Sequence, residues 1–292
     1  QFAPVHLTLL PNSSSTEIPS QRMASNRIAA LRVSKPANFE LKQCDPGDTL
    51  GWHKDTASAE LEQVKLKLDE VQQRLAAESK HSVLLVLQAR DAAGKDGTIR
   101  SIFSGLNPAG IRVTSFKVPV GRELVQDYLW RVHAHCPSDG EIGVFNRSHY
   151  EEVLVVRVKG LAPESVWSKR YRHINEFERM LVDEGTTIIK CFLNVSKAEQ
   201  AERFQDRLDD PSKRWKFRAG DLADRKLWPK YQQAYDDMIS KTSTSYAPWH
   251  VIPADHNWVR NLAVAKILLD TLTALDPKFP APEPGIHTIK IT

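Results

Sequence analysis

The chain has 292 residues, of which 41% are hydrophobic and 26% charged, with a formal net charge of +4. These values are typical of a folded globular protein. No stretch approaches the ~18 consecutive apolar residues of a membrane span, and PVHLTLLP near the start lacks the basic flank and length of a signal peptide. Three cysteines without a C-x-x-C pair favour a reducing compartment. We therefore expect a cytoplasmic protein that has no membrane partner.

Hydrophobic periodicity predicts helices and strands that alternate along the chain. In chain order they are a helix at about 57–79, a strand at 83–87, a helix beginning near Lys95, a strand at 111–116, a helix at 122–133, a strand at 141–145, a helical stretch from about 148, a helix ending near Gly185, a strand at 186–193, a helix that stops before Pro211, a helix at 221–240, a strand at 249–252 and a helix at 258–275. Ser196 and Glu199 have the spacing of a capping box. We expect one doubly wound α/β domain, a parallel sheet flanked by helices, with its ligand at the carboxyl ends of the strands.

The domain boundaries follow from this pattern. Residues 1–38 form an N-terminal extension; the part before Met23 is rich in Ser, Pro and Asn, and we treat it as a tag remnant or an upstream extension. Residues 39–275 form the single domain, and 276–292 form a Pro-rich tail.

The segment LVLQARDAAGKDGTIR at 85–100 predicts a phosphate-binding loop between a buried strand and a helix. A helix that begins near Lys95 aims free backbone N–H groups at one point, and glycines let the backbone approach a ligand closely. Lys95 can reach the outer phosphates as a point charge. The predicted phosphate contacts are Ala93, Gly94, Lys95, Asp96, Gly97 and Thr98.

This loop departs from the pattern G-x-x-x-x-G-K-[ST] at two positions, because Ala89 replaces the first glycine and Asp96 replaces the hydroxyl residue. Asp91 adds a second carboxylate, so a bound cation would have to screen the acidic groups from a polyphosphate. The alternative is an ordinary strand–turn–helix corner in which the glycines only cap a helix.

A second segment, GEIGVFNRSHYEE, places Asn146 and Arg147 directly after a predicted strand. Asn146 stands where a nucleotide-binding fold has a metal-associated carboxylate, and it supplies no charge. Its alternative role is a helix N-cap beside Ser148. Arg147 is expected to face the same crevice as Lys95, where its planar fork suits phosphate.

A third segment, at about 203–220, predicts a mobile basic lid. Six cations lie within sixteen positions: Arg203, Arg207, Lys213, Arg214, Lys216 and Arg218. Such a flap can exclude water and neutralise charge on a transferred phosphoryl group. The alternative is a solvated charged surface, against which the interleaved Trp215 and Phe217 argue.

Asp127 and Arg131 are one helical turn apart in the predicted helix at 122–133. They are either a simple i, i+4 ion pair or, since this helix should border the crevice, contacts to a metal ion and to an acceptor.

Several ordered segments together resemble the family-2 polyphosphate kinases, from about residue 39 to 270. They are QARDAAGKDGTIR, NPAGIRVTSFKVP, DYLWRVH, GEIGVFNRSHYEEVLVVRV, KRYRHINEFERMLVDEGTTIIK and RLDDPSKRWKFRAGDLADR. With Asn146 in the second motif, the chain is most similar to the subgroup called class III, which is associated with phosphorylating both nucleoside mono- and diphosphates.

The resemblance implies a P-loop kinase-like fold related to thymidylate kinases and assemblies of identical subunits, either dimers or tetramers. It places Asp91, Gly94, Lys95 and Asp96 in the first Walker element, Asn146 and Arg147 in the second, and Arg207 to Arg218 in the lid. It also implies Mg²⁺, or alternatively Mn²⁺, bridging the phosphates. Because Asn146 carries no charge, the expected metal ligands are Asp91 and Asp127.

The predicted function is metal-dependent phosphoryl transfer between inorganic polyphosphate and adenine or guanine nucleotides, without a nucleic-acid partner. A nucleotide phosphate is already nucleophilic at neutral pH, since the last ionisation of a phosphate monoester lies near pH ~6, so no strong general base is needed. The expected catalytic residues are Asp91, Lys95, Arg147 and Arg207. Two alternatives remain open: an ATP-dependent nucleoside monophosphate kinase, and a non-catalytic basic module that binds a polyanion.

Overall fold

The computed structural model describes residues 27–291. Most of the predicted N-terminal extension and the segment PVHLTLLP therefore lie outside the described residues. No helix within 27–291 is both long and apolar enough to cross a bilayer. The three cysteines are free thiols.

The centre of the molecule is a five-stranded, all-parallel sheet in the order β2-β3-β1-β4-β5. Its strands are β1 (Ser82–Ala89), β2 (Ile111–Ser115), β3 (Ile142–Asn146), β4 (Thr186–Asn194) and β5 (Trp249–Pro253). Every residue of β1 is buried, as expected for a central strand covered on both faces. The predicted fold class and all five predicted strands are confirmed, with ends that differ by one or two residues.

Helices cover both faces of the sheet. They are α1 (Lys54–Glu78), α2 (Lys95–Phe103), α3 (Trp130–His133), α4 (Val155–Val158), α5 (Glu164–Asp183), α6 (Lys197–Asp209), α7 (Ala219–Lys226), α8 (Trp228–Thr242) and α9 (Asn257–Leu275). Helices α1 and α9 pack over one face together with Leu85, Leu87 and Val144. Helices α5 and α8 pack over the other face with Leu84, Val86 and Phe145. Successive residues of β1 thus point into two separate cores.

Three predicted helices are wrong in extent. Residues 122–133 form a 3₁₀ turn at Gly121–Leu124 and the short α3, because Asp127 accepts hydrogen bonds from the Leu129 and Trp130 amides and starts a new helix there. The stretch after Ser148 is a 3₁₀ helix, His149–Val153, followed by α4. The helix predicted at 221–240 is two helices, since Pro229 starts α8 at its first turn.

The predicted capping box at α6 is half formed. The Ser196 hydroxyl accepts a hydrogen bond from the Glu199 amide at 3.0 Å. The Glu199 carboxylate does not return to Ser196, because it accepts from Arg203 Nε at 2.7 Å. In the folded protein the Glu199 side chain therefore binds Arg203 and does not cap the helix.

Candidate active site

The loop between β1 and α2 lies at the carboxyl edge of the sheet, where ligands bind in doubly wound folds. Gly94 is the residue before α2 and has a left-handed backbone, with φ of 100°. Ala92 also has a positive φ, 63°, which is uncommon for a residue with a Cβ. Strained backbone at this turn is typical of a binding loop. The loop leads into α2 with the amide groups of its first turn at the sheet edge.

Lys95 is almost fully buried, at 9% exposure, and its Nζ lies 3.4 Å from the carbonyl oxygen of Ala89. Burial, and then the nearby charge of Arg147, lower the pKa of Lys95 to about 8. The carboxylates of Asp91, Glu151 and Asp96 oppose that shift. The Lys95 ammonium group is therefore buried at the loop, where one positive group and three negative groups act on it.

Arg147 and Asn146 each bind an acidic residue of the loop. Arg147 Nη2 donates to Asp91 Oδ1 at 2.6 Å. Asn146 Nδ2 donates to Asp96 Oδ1, also at 2.6 Å. The second motif is thus joined to the first by two short hydrogen bonds. Asn146 is the last residue of β3, and the N-cap of the following turn is Ser148, so the alternative of a capping role for Asn146 is wrong.

The donor set suits a hard divalent cation. Asp91 and Asp96 present carboxylate oxygens at the loop between β1 and α2, and Mg²⁺ usually keeps several waters while binding one or two carboxylates and substrate phosphates. No group of three or more His, Cys, Asp or Glu side chains suited to a metal occurs within residues 27–291. Two carboxylates beside the loop fit an ion that also binds substrate phosphates and waters.

The predicted lid is a turn and a short 3₁₀ helix, Arg214–Lys216, between α6 and α7. Its cations lie mostly at the surface and contact their own turn: Lys213 pairs with Asp210 at 2.8 Å, and Arg214 Nε donates to the Leu208 carbonyl at 2.7 Å. The Arg218 amide donates to Asp221 at 3.1 Å. Trp215 is 74% exposed, so it gives no support against the alternative of a solvated charged surface.

Arg207 lies in α6 and contacts the backbone of the lid. Its Nη1 lies 3.5 Å from the Lys216 carbonyl. Burial raises the pKa of Asp221; the Arg218 amide and the charge of Arg207 oppose that shift, while the charge of Asp91 adds to it. In this conformation the structure brings Lys95, Arg147 and Asp91 together, whereas Lys213 and Arg214 stay with their own turn.

Arg203 differs from the other predicted lid cations. It is largely buried and donates to the carbonyls of Ala92, Ala254 and Asp255 at 2.9, 2.7 and 2.8 Å. Its expected place on the mobile flap is wrong, because its donors are bonded to backbone and to Glu199.

Asp127 and Arg131 do not pair with each other among the ion pairs of residues 27–291. Asp127 accepts from the Leu129 and Trp130 amides, as described above, while Arg131 Nη1 donates to the Lys117 carbonyl at 2.8 Å and lies 3.3 Å from Glu123 Oε2. Arg131 also lies over the Phe116 ring, at 5.5 Å from its centre. The simple i, i+4 ion pair is therefore not formed.

Two arginines at the site were missed from the sequence. Arg260 of α9 donates to the Ala93 carbonyl and to the Thr98 hydroxyl. The Arg90 guanidinium lies over the rings of Trp228 and Tyr235, at 4.2 and 4.9 Å from their centres, and donates to Gln232 at 2.6 Å. Arg90 lies in the loop segment, so its charge could have identified it from the sequence. Arg260 lies in no motif, so no signal in the sequence points to it.

The family model of polyphosphate kinase 2 matches residues 51–280. The chain belongs to the polyphosphate kinase 2 family. It is 57% identical to an AMP/ADP-polyphosphate phosphotransferase of Meiothermus ruber over 262 residues, 89% of this chain and 98% of that protein. It is 46% identical to an ADP-polyphosphate phosphotransferase of Rhodopseudomonas palustris, over 75% of this chain and 80% of that one.

A solved relative in the polyphosphate kinase 2 family has the same fold. The crystal structure of polyphosphate kinase 2 from Arthrobacter aurescens TC1 superposes with a TM-score of 0.86 at 41% identity, and covers 90% of this chain and 94% of its own. The predicted family and the predicted kinase-like fold are both confirmed.

Proposed function

We propose that this protein transfers phosphoryl groups between inorganic polyphosphate and adenine nucleotides, converting AMP to ADP and ADP to ATP and, in reverse, elongating polyphosphate. The observation that carries the proposal is the convergence of buried Lys95, Arg147 and Asp91 on one phosphate loop. The relatives named above, which act on polyphosphate with AMP or ADP according to their names, support the same substrates. Guanine nucleotides are a further proposed acceptor.

The reaction exchanges one phosphorus–oxygen bond for another. An oxygen of the acceptor's terminal phosphate attacks the end phosphorus of polyphosphate; the bridging P–O bond breaks, and polyphosphate one unit shorter leaves with the electron pair. No net proton or electron source is needed. The difficulty is the repulsion between two anionic chains, which cations and amides at one crevice reduce.

The residues of the site divide this work. Lys95 and the backbone amides from Gly94 to Gly97 hold the transferred group, and Arg147 holds the donor end. The expected contacts from the Ala93 and Thr98 amides are wrong, because these amides donate to the Arg90 and Gly94 carbonyls at 3.3 and 2.9 Å. Asp91, positioned by Arg147, orients the acceptor. The lid adds further contacts to the long donor when it closes: Arg207, Lys213, Arg214 and Arg218. Arg131 lies near the acceptor in this proposal.

Mg²⁺, or Mn²⁺ in its place, is the proposed cofactor. Asp91 and Asp96 would hold it, with Asp127 as a further ligand if its capping bonds open. When bound, the ion would neutralise phosphate charge between donor and acceptor.

The direct test is an assay with AMP or ADP, long-chain polyphosphate and Mg²⁺, with the products separated by chromatography. We expect ADP and ATP to form from polyphosphate, and Lys95→Ala to abolish transfer while the circular dichroism spectrum is unchanged. ATP acting as a far better donor than polyphosphate would favour the nucleoside monophosphate kinase. Binding of polyphosphate without turnover would favour the non-catalytic module.

We also propose that the protein self-associates and works in the cytoplasm. Val118, Val120, Leu124 and Val125 are each more than two-thirds exposed in one short segment, an arrangement that marks interaction surfaces. Light scattering after size exclusion should show a dimer or tetramer, and the double variant Val118→Asp, Val125→Asp should shift it towards the monomer. A wild-type monomer would contradict this proposal.

A further inference from the structure

The phosphate loop is held from behind by two arginines that come from elsewhere in the chain. Arg203 of α6 donates to the Ala92 carbonyl at 2.9 Å. Arg260 of α9 donates from Nη1 to the Ala93 carbonyl at 3.0 Å, and from Nε to the Thr98 hydroxyl at 2.7 Å. Two consecutive loop carbonyls are therefore tied to two different helices.

Arg260 bridges the two ends of the turn. Ala93 precedes the start of α2, and Thr98 lies in its first turn. Arg260 is 4% exposed, and Asn261 Oδ1 accepts from its Nη2 at 3.1 Å. With this guanidinium in place, the Ala93 carbonyl and the Thr98 hydroxyl are both turned towards the protein interior. They are not available to face a ligand.

Arg260 also explains the glycine at position 94. A Cβ on Gly94 would lie 2.2 Å from Arg260 Nη1 and 2.6 Å from Cζ, far inside contact distance, and the φ of 100° disfavours any side chain. A Cβ on Gly97 would lie 3.6 Å from the same guanidinium, an ordinary contact. The loop is thus folded directly over the Arg260 guanidinium.

The charge of Arg260 is poorly compensated by protein. Its hydrogen-bond partners are a carbonyl, a hydroxyl and an amide oxygen, and no ion pair among residues 27–291 includes it. The carboxylate that acts on it is Glu199, which bonds to Arg203 at 2.7 Å. Burial, and then the charge of Arg203, lower the pKa of Arg260 to about 10, so it stays charged at neutral pH. An anion in front of the loop would offset this buried charge.

We propose that Arg260 is a positioning residue for phosphate binding, which fixes the loop over its guanidinium and adds positive potential from behind without touching the ligand. The identity of the phosphate ligand as polyphosphate rests on the function proposed above. The effect of Arg260 on phosphate affinity does not depend on turnover.

The test compares wild type with Arg260→Met, Arg260→Lys and the control Arg112→Met. Arg112 is a partly buried arginine in edge strand β2 that pairs with Glu141 at 3.0 Å, remote from the loop. Tripolyphosphate binding is measured by calorimetry, and kcat and KM are measured with polyphosphate and AMP. We expect Arg260→Met to raise the Kd for tripolyphosphate by about tenfold or more. Arg260→Lys should give a smaller rise, since lysine keeps the charge but loses the fork, and Arg112→Met should leave Kd unchanged.

A purely structural role gives a different result. Arg260→Met would then lower the melting temperature and the active fraction while the folded protein kept its wild-type Kd, and this would overturn the proposal. If Arg260→Met does not fold, a wild-type Kd in Arg260→Lys would overturn it equally. If the wild type binds tripolyphosphate but transfers no phosphoryl group, the proposed function is contradicted. The role of Arg260 is still tested in that case, because it is measured by the Kd of the variants.

Discussion

Lys95 carries its charge in a buried position, beside one arginine and three carboxylates. Its pKa of about 8 means that the free protein loses this charge within the range of ordinary assays. Asp91, Glu151 and Asp96 favour the ammonium form, and burial and Arg147 disfavour it. The grip of this side chain on phosphate should therefore depend on pH.

We expect kcat/KM for polyphosphate to fall as the pH rises through about 8. Below that value Lys95 is protonated and attracts phosphate; above it the amine is neutral and the attraction is lost. The measurement is a pH series of kcat/KM, which reports ionisation in the free enzyme. Lys95→Arg, whose charge persists to higher pH, is the matched variant. It should lose this alkaline decline even if its rate is lower, and a wild-type profile flat to pH 10 would refute the assignment.

Asn146 donates to a carboxylate at a position where a second acid would repel that carboxylate. In Asn146→Asp, two carboxyl groups would meet at about the present 2.6 Å contact with Asp96. We expect a lower melting temperature without divalent cations and a larger increase on adding Mg²⁺ than in wild type, because a cation relieves the repulsion. Thermal unfolding with and without Mg²⁺ measures both. Asn146→Ala is the control. If Mg²⁺ raises the melting temperatures of Asn146→Asp and Asn146→Ala equally, the two carboxylates of Asn146→Asp do not face each other as expected.

At the scale of elements, the lid is the part whose basic side chains have the fewest contacts with the rest of the protein. Lys213 and Arg214 lie on a surface turn and, among the contacts of residues 27–291, their side chains bond to that turn and the end of α6, so they are available to a long anion. Arg203, which is adjacent to this region, is by contrast bonded to the Ala92 carbonyl of the loop between β1 and α2. One basic stretch of sequence thus supplies both a structural support and a movable surface.

We expect polyphosphate affinity to weaken steeply with salt, because each phosphate paired with a cation releases bound counterions. The double variant Lys213→Ala, Arg214→Ala should reduce the slope of log Kd against log salt by up to about two. Titrations at several salt concentrations measure the slope. Lys67→Ala, Lys80→Ala removes two exposed cations, one from α1 and one from the turn before β1, and should leave the slope as in wild type. A salt-independent wild-type affinity would exclude a basic channel.

At the scale of the whole molecule, one buried ion pair joins the sheet to the helical layer on one face. Lys190 of β4 is fully buried and donates to Glu178 of α5 at 2.6 Å, to the Tyr150 hydroxyl at 2.8 Å and to the Thr242 carbonyl at 2.7 Å. His149 Nε2 lies 3.4 Å from the same carboxylate. The network lies directly behind the motif that presents Arg147.

Lys190→Met should destabilise the protein by about 3–5 kcal/mol, because Glu178 would remain buried without its main counter-charge. Urea unfolding measures this loss. The double variant Lys190→Met, Glu178→Gln should recover part of it, since the isolated charge is gone, and Lys67→Met on the exposed face of α1 should have little effect. If Lys190→Met is as stable as the wild type, the ion pair between Lys190 and Glu178 is not needed to hold the sheet and the helical layer together.

Much of this architecture is predictable from sequence because the signals are local. Runs of buried apolar residues mark the five strands, and glycine beside Lys95 marks a turn at a helix start. Family membership is predictable for the same reason, since the motifs of the family are short segments in a fixed order along the chain. The helix at 122–133 was mispredicted because its apolar spacing is helical, while Asp127 binds backbone amides and interrupts it.

By itself the sequence determined the parallel sheet, the turn that carries Lys95 at a helix start, and the family. Only the tertiary structure decided that Arg260 lies beneath Gly94, that Asn146 bonds to Asp96 and that Arg203 is a support for the loop. The physical reason is distance along the chain: Arg260 and Ala93 are 167 positions apart. A hydrogen bond over that separation exists only once helices and strands have packed, so no local pattern of residue types encodes it.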